Sequence, residues 1–295
     1  MKRSLRSIKK LQEQTMHLLF LLCGLASVGL LLLVAVYLIL SGLPAIRAVG
    51  VGDFLLGKVW TSTAAQPRFG VLPMILASLY GALGAILLGV PVGFLSALYL
   101  AKAAPPRLAA PIRFAVQLLA GIPSVVYGLV GMTVLVPFLR QRLDLPAGDS
   151  LLAAMIVLAV MILPSVISLS DTALQAVPRE YEEASLALGA TPAETWFRVS
   201  APAAGSGIAA AIVLGIGRAL GEAMAILMVA GNVANMPALL RSVRFLTTGI
   251  AIEMNYAPPD SLQRQALFSI GLILFLLITL MNTLLHRILK QKKER

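Results

Sequence analysis

The sequence predicts an all-α integral membrane protein with six transmembrane helices. Hydrophobic residues fill 59% of its 295 positions and charged residues 13%, against about 25% charged residues in soluble domains. Mean hydropathy is +0.90. Six apolar stretches, at 16–41, 71–101, 112–139, 151–170, 206–232 and 266–286, reach the ~20 residues that a spanning helix needs.

The first stretch follows the basic run MKRSLRSIKK. Its apolar core exceeds the ~7–15 residues of a secretory signal, and no small-residue cleavage site follows, so it reads as an uncleaved span. The second and third stretches contain Pro91 and Pro123, where kinks or tilts are expected. The fourth is uninterrupted in hydropathy but carries Pro164. The fifth holds two charges, and the sixth runs into a basic tail.

Six crossings put both ends on one side. The segments on that side hold fifteen of the 24 Lys and Arg: Lys2, Arg3, Arg6, Lys9, Lys10, Lys102, Arg107, Arg113, Arg179, Arg198, Arg287, Lys290, Lys292, Lys293 and Arg295. The opposite loops hold eight: Arg47, Lys58, Arg68, Arg140, Arg142, Arg241, Arg244 and Arg264. The positive-inside rule places both termini in the cytoplasm. The expected organisation is a cytoplasmic segment 1–15, a first helix 16–41, a periplasmic loop 42–70, a core 71–290 with five spans, and a cytoplasmic tail 291–295. The net charge of +11 is explained by lipid headgroups and topology and gives no signal for nucleic acid.

Residues 171–205 form the long cytoplasmic loop, and they are patterned like structure. Residues 180–188 are good helix formers, and Gly189 is a natural stop. Thr191-Pro192-Ala193-Glu194 reads as a capping box with Pro at the first helical position. A second short helix should run to about Ser200 and stop before Pro202. The loop is acidic (Asp171, Glu180, Glu182, Glu183, Glu194) where its neighbours are basic. It is either a solvated helical hairpin or a docking knob for a cytoplasmic partner.

Arg218 and Glu222 interrupt the fifth stretch. A charge at the bilayer centre costs ~2.5–3.5 kcal/mol on insertion scales. Four residues apart on a helix, the two share one face. That face should look into the protein or a water-filled path. The pair is either a site for a polar solute or an ion pair locking helices. Ser124 and Ser165 adjoin Pro123 and Pro164, either bordering a path or only stabilising kinks.

Other motifs carry little. Gly52 to Val59 nearly matches the phosphate loop G-x-x-x-x-G-K-S/T, but Val59 replaces the metal-binding hydroxyl and no strand–loop–helix context surrounds it. Gly215, Gly217 and Gly221 read as small residues for close helix packing. His17 and His286 read as interfacial. No metal-ligand spacing, nucleophile–base pair or paired acids mark an enzyme. Cys23 stands alone, so no internal disulfide is possible.

EEASLALGATPAETWFRVSAPAAG resembles the EAA loop of bacterial ABC-importer permeases, E-A-A-x3-G-x9-I-x-L-P. The match falls on Glu183, Ala184, Ser185, Gly189, Val199, Ala201 and Pro202, with Ser for Ala, Val for Ile and Ala for Leu. FGVLPMI (69–75), AGIPSVVYGLVG (120–131), MILPSVISLSDTALQAVPREYEEA (161–184) and GRALGEAMAILMVAGN (217–232) are similar to the PstC family of phosphate permeases. The sister PstA family has related motifs. The resemblance implies a MetI-like type I importer core, with the EAA-like residues seating on a separate ATPase. It implies a PstA-like second permease, PstB-like ATPase subunits, a PstS-like periplasmic phosphate-binding protein, and no cofactor. Arg218 and Glu222 would then lie on the substrate path. The alternatives are a permease for molybdate, sulfate or phosphonate, the PstA role itself, or a membrane scaffold or intramembrane enzyme without transport.

Overall fold

A computed structural model describes residues 2–293, with side chains for residues 13–284 and Arg287. The N-terminal basic residues Lys2 to Lys10, His286, and Lys290, Lys292, Lys293 and Arg295 have side chains outside those described.

Among the described residues the helices are, in order, α1 (Lys2–Val49), α2 (Val51–Leu56), α3 (Leu72–Leu98), α4 (Pro106–Ala120), α5 (Ser124–Val130), α6 (Val136–Arg142) and α7 (Leu151–Gln175). They continue as α8 (Arg179–Ala187), α9 (Pro192–Thr195), α10 (Ala201–Ala203), α11 (Gly205–Gly221), α12 (Met224–Val229), α13 (Leu246–Glu253) and α14 (Leu262–Lys293). Wide i→i+5 turns extend three of them, at Tyr99–Ala103, Gly131–Leu135 and Trp196–Ser200. Five helices are long and apolar enough to cross a membrane. A sixth candidate passes the same test only as a bent pair, in which Pro192–Ala203 meets Gly205–Gly221 at 71°.

The helical fold matches the expectation, but three elements depart from it. The first helix runs on to Val49 through Pro44, shortening the expected loop 42–70. That loop also contains a two-residue hairpin, β1 (Trp60–Thr61) against β2 (Arg68–Phe69), closed by edge-on packing of Trp60 on Phe69 at 5.4 Å. The third stretch, 112–139, is two helices. Gly121 ends α4, and Pro123 stands in extended backbone before α5. Proline pushes the residue before it out of the helical region, so the break falls where Ile122 meets Pro123. Pro91, by contrast, sits inside unbroken α3.

The core is α3 against α7, with α11 on the same helix. Ala77, Gly81, Ala85, Gly89, Gly93 and Ala97 recur every fourth residue of α3, and all are buried. This ridge of small residues lets the two backbones approach closely. A Cβ at Gly89 would meet the Ala159 carbonyl oxygen at 3.0 Å, and one at Gly93 would meet Val166 at 2.8 Å. Helix α1 packs on α14, where Ser269 donates to the Gly42 carbonyl at 2.5 Å and Tyr37 meets Phe268 edge-on.

The loops sort into two sets. In one, Trp60, Ser62, Arg244 and Gln263 all bond to Glu253, and Ser242 donates to Asp149 at 2.6 Å. The backbone N–H groups of Leu151 and Leu152, unbonded within α7's first turn, donate to Arg241 and Leu239. In the other set, Lys102 pairs with Glu182 and Arg113 with Asp171. These contacts join loops that alternate crossings place on the same side.

Candidate functional site

The expected span 206–232 is not one helix. Helix α11 stops at Gly221, and Glu222 is extended at φ −71, ψ 130. Arg218 and Glu222 therefore do not share a helical face, and they form no ion pair. The ion pairs among the described residues are Lys102–Glu182, Arg113–Asp171 and Arg244–Glu253. The Glu222 carboxylate turns forward instead and accepts from Ala225 N–H at 3.0 Å, taking up one of the free donors that open α12. Its carbonyl accepts from Thr247 Oγ1 at 2.7 Å. Both bonds reward an unwound residue, one locally from Ala225 and one from Thr247, 25 residues away.

Arg218 reaches α7. Its Nη1 donates to Ser165 Oγ at 3.3 Å, so one of the two serines beside a proline does face the charge. The other, Ser124, opens α5 after Pro123. Tyr127 on α5 donates its hydroxyl to the Leu119 carbonyl at 2.7 Å. The sequence analysis did not single out Tyr127, although it lies within AGIPSVVYGLVG (120–131). Two expected packing glycines, Gly217 and Gly221, have nothing within 4 Å of a Cβ position. Gly215 alone of the three packs on α7, against Ile162 and Val166. The Arg218 end of α11 thus borders open space on one side and Ser165 on the other. A guanidinium fork there can receive an oxyanion.

The second cluster is the loop 171–205. Helix α8 follows Pro178, and Gly189 turns the chain at φ +88. Thr191 caps α9: its Oγ1 accepts from Glu194 N–H at 3.3 Å, and Thr191 N–H donates to the Glu194 carboxylate at 2.9 Å. The Thr191 N–H and hydroxyl, both donating to the Glu194 carboxylate at 2.9 Å, hold that exposed group below its ordinary value. Ser185 and Thr195 share a hydrogen bond at 2.9 Å that closes the hairpin. Pro202 does not end the chain's helical course, since it lies at the start of α10, and the turn comes at Ala204. Of the EAA-like positions, Glu183, Ala184, Gly189 and Pro202 are exposed, while Ser185, Val199 and Ala201 are partly buried. Tyr181, Leu186, Leu188 and Phe197 expose large apolar surface, Leu188 at 90%. Among the described residues no three His, Cys, Asp or Glu side chains group as metal ligands. The 52–59 segment folds as α2 and a turn, not as a strand–loop–helix.

The family model described as "Binding-protein-dependent transport system inner membrane component" matches residues 89–295. The chain belongs to this family of permeases, and is PstC-like within it. The permease is 36% identical over 99% of its length to the probable ABC transporter permease protein YqgH of Bacillus subtilis, covering 95% of that protein. It is 33% identical over 98% of its length to the phosphate transport system permease protein PstC of Haemophilus influenzae, again covering 95% of the relative. Its fold is shared with an inward-facing structure of the MetNI methionine ABC transporter. There the TM-score is 0.57 and identity 22%, covering 76% of the permease and 94% of that chain. The permease is thus a multi-pass inner-membrane subunit of a binding-protein-dependent ABC system, with a MetI-like core.

Proposed function

We propose that this permease forms the translocation path of an ATP-driven phosphate importer and receives the ATPase stroke through its EAA-like hairpin. Relatives named for phosphate transport support the substrate class. The observation that carries the reading is Arg218, a cation in an apolar helix, bonded to a neutral hydroxyl and paired with no carboxylate among the described residues. Arg218 is partly exposed, and a cation in an apolar segment without a counter-charge is costly. An anion in transit would relieve that cost, and the guanidinium fork fits two phosphate oxygens. Glu222 would sit beside the passage and accept a hydrogen bond from a protonated phosphate oxygen. Sulfate, which has no proton at neutral pH, would meet only repulsion there.

In this reading, Glu183, Ala184, Ser185, Gly189, Val199 and Pro202 shape the hairpin that docks on a PstB-like ATPase. ATP is hydrolysed on that separate subunit. A PstA-like permease completes the path, and a PstS-like binding protein delivers the anion. Both termini are cytoplasmic, with residues 1–15 and 291–295 on that side, 42–70 periplasmic, and 71–290 as the permease core. Reconstitution with these partners in proteoliposomes tests the reading. ATP-dependent accumulation of phosphate is expected, with sulfate and molybdate excluded. Accumulation of sulfate or molybdate in preference to phosphate would defeat it.

A further inference from the structure

Helix α4 is attached thinly. Its buried residues are Ala109 and Val116, which lie with Arg113 on one face by helical spacing. Arg113 grips Asp171 in a two-pronged ion pair, Nε to Oδ2 at 2.7 Å and Nη2 to Oδ1 at 3.0 Å. Gln175 steadies the same carboxylate at 2.8 Å. Arg113 also donates to the Leu100 carbonyl at 2.8 Å.

That carbonyl is free for a definite reason. In an α-helix it would accept from Ala104 N–H. Here the chain widens, and Ala104 N–H bonds to the Tyr99 carbonyl at 2.8 Å. The next donor in a wide turn would be residue 105, which is proline and has no N–H. Arg113 takes the vacant acceptor. Two residues along the same turn, Lys102 forms an ion pair with Glu182 of α8, and the Lys102 side chain is 9% exposed. Ser200 donates to that Glu182 carboxylate at 2.8 Å. The turn Tyr99–Ala103 therefore holds α8 by one side chain and α4 by one carbonyl.

We infer that the turn Tyr99–Ala103 is a relay that makes α4 follow the coupling helix α8, with Lys102, Glu182, Arg113 and Asp171 as its positioning residues. The inference rests on α8 receiving the ATPase stroke. Beyond α4 the path continues. Tyr127 stitches α5 to the end of α4 across the Pro123 break through the Leu119 carbonyl. Gly128 of α5 lies so close to Ala225 of α12 that a Cβ would meet its Cα at 2.8 Å. Helix α12 begins two residues after Glu222. A shift of α8 thus reaches α12, just beyond the break that follows Arg218, through touching groups. Such a route becomes a mechanism only if its members are energetically coupled.

The test is a double-mutant cycle in the assembled complex in proteoliposomes, reading phosphate moved per ATP. Glu182→Gln and Arg113→Gln should each lower that ratio about tenfold while ATP hydrolysis continues, and the double variant should fall no further than the stronger single. A double variant that loses the product of the two single effects, or a single variant at the parent ratio, overturns the relay. If Arg113→Gln does not reach the membrane, Arg113→Lys takes its place, since it keeps the charge and loses the fork. A second readout does not depend on the cargo. With Cys23→Ser as background, spin labels at Leu188 and Val125 should keep their separation on ATP addition in the parent, where α4 and α5 follow α8, and change it in the variants. A change in the parent, or none in the variants, overturns the relay even if phosphate proves not to be the cargo.

Discussion

Arg218 donates to Ser165 across the contact of α11 with α7, at 3.3 Å, one helical turn before the chain unwinds at Glu222. The bond places the cation beside Pro164 of α7, while the opposite edge of α11, at Gly217 and Gly221, is open. An arginine so placed is oriented without being neutralised.

Ser165→Ala should weaken substrate binding without abolishing transport. A hydrogen bond to a charged group contributes about 1.5–3 kcal/mol, and one of 3.3 Å belongs at the low end. The concentration for half-maximal phosphate uptake is expected to rise about tenfold, with the maximal rate within a factor of about three. An unchanged concentration dependence would mean that Ser165 only stabilises the kink at Pro164.

Gly189 tests the hairpin through backbone conformation alone. Its φ is +88 and a Cβ would meet nothing within 4 Å. Substitution therefore adds no clash, only the left-handed penalty of about 1–2 kcal/mol. Uptake per ATP should fall in Gly189→Val, fall less in Gly189→Ala, and hold near the parent value in Gly189→Asn, since Asn tolerates this region. Equal losses in all three would point to a contact at that position instead.

The Glu182 anchor should survive at neutral pH and fail in acid. Burial pushes the Glu182 carboxyl up, but hydrogen bonds from Lys102 and Ser200 outweigh it and leave the group below its ordinary value. A carboxylate with a depressed folded-state pKa contributes stability above its unfolded value and loses it as pH falls through the folded value. Amide-exchange protection of α8 should hold from pH 7 down to the ordinary Glu value of about 4.3 and decline below it. In Glu182→Gln the protection should be lower and flat with pH. A decline already complete by about pH 6 would contradict the assignment.

The basic bias of the loops supports the proposed orientation, with both termini cytoplasmic. A reporter active only in the periplasm should signal when fused near Gly57 and stay silent after Arg295. The reverse pattern would invert the permease and put the EAA-like hairpin outside.

What the sequence made legible was local. The capping box at Thr191 and Glu194, the turn at Gly189 and the positions of the apolar stretches each follow from residues within a few positions of one another. The break at Glu222 was not legible, because Glu222 and Ala223 are no helix breakers. Their unwinding depends on Thr247, 25 residues away, and on the Ala225 N–H. Arg113 looked like one more basic loop residue and Asp171 like one more acid in the hairpin, until the fold joined them over 58 positions. Pro123 announced a distortion of the third stretch; it is a full break there, with extended backbone at Pro123, while Pro91 is absorbed on the exposed face of α3.

The central claim is that Arg218 contacts the transported anion. Phosphate uptake by Arg218→Gln, in the complete reconstituted complex, tests it most directly. The account predicts uptake at the background level, with the complex assembled and its ATPase still stimulated by the loaded binding protein. Uptake at the parent rate would contradict it.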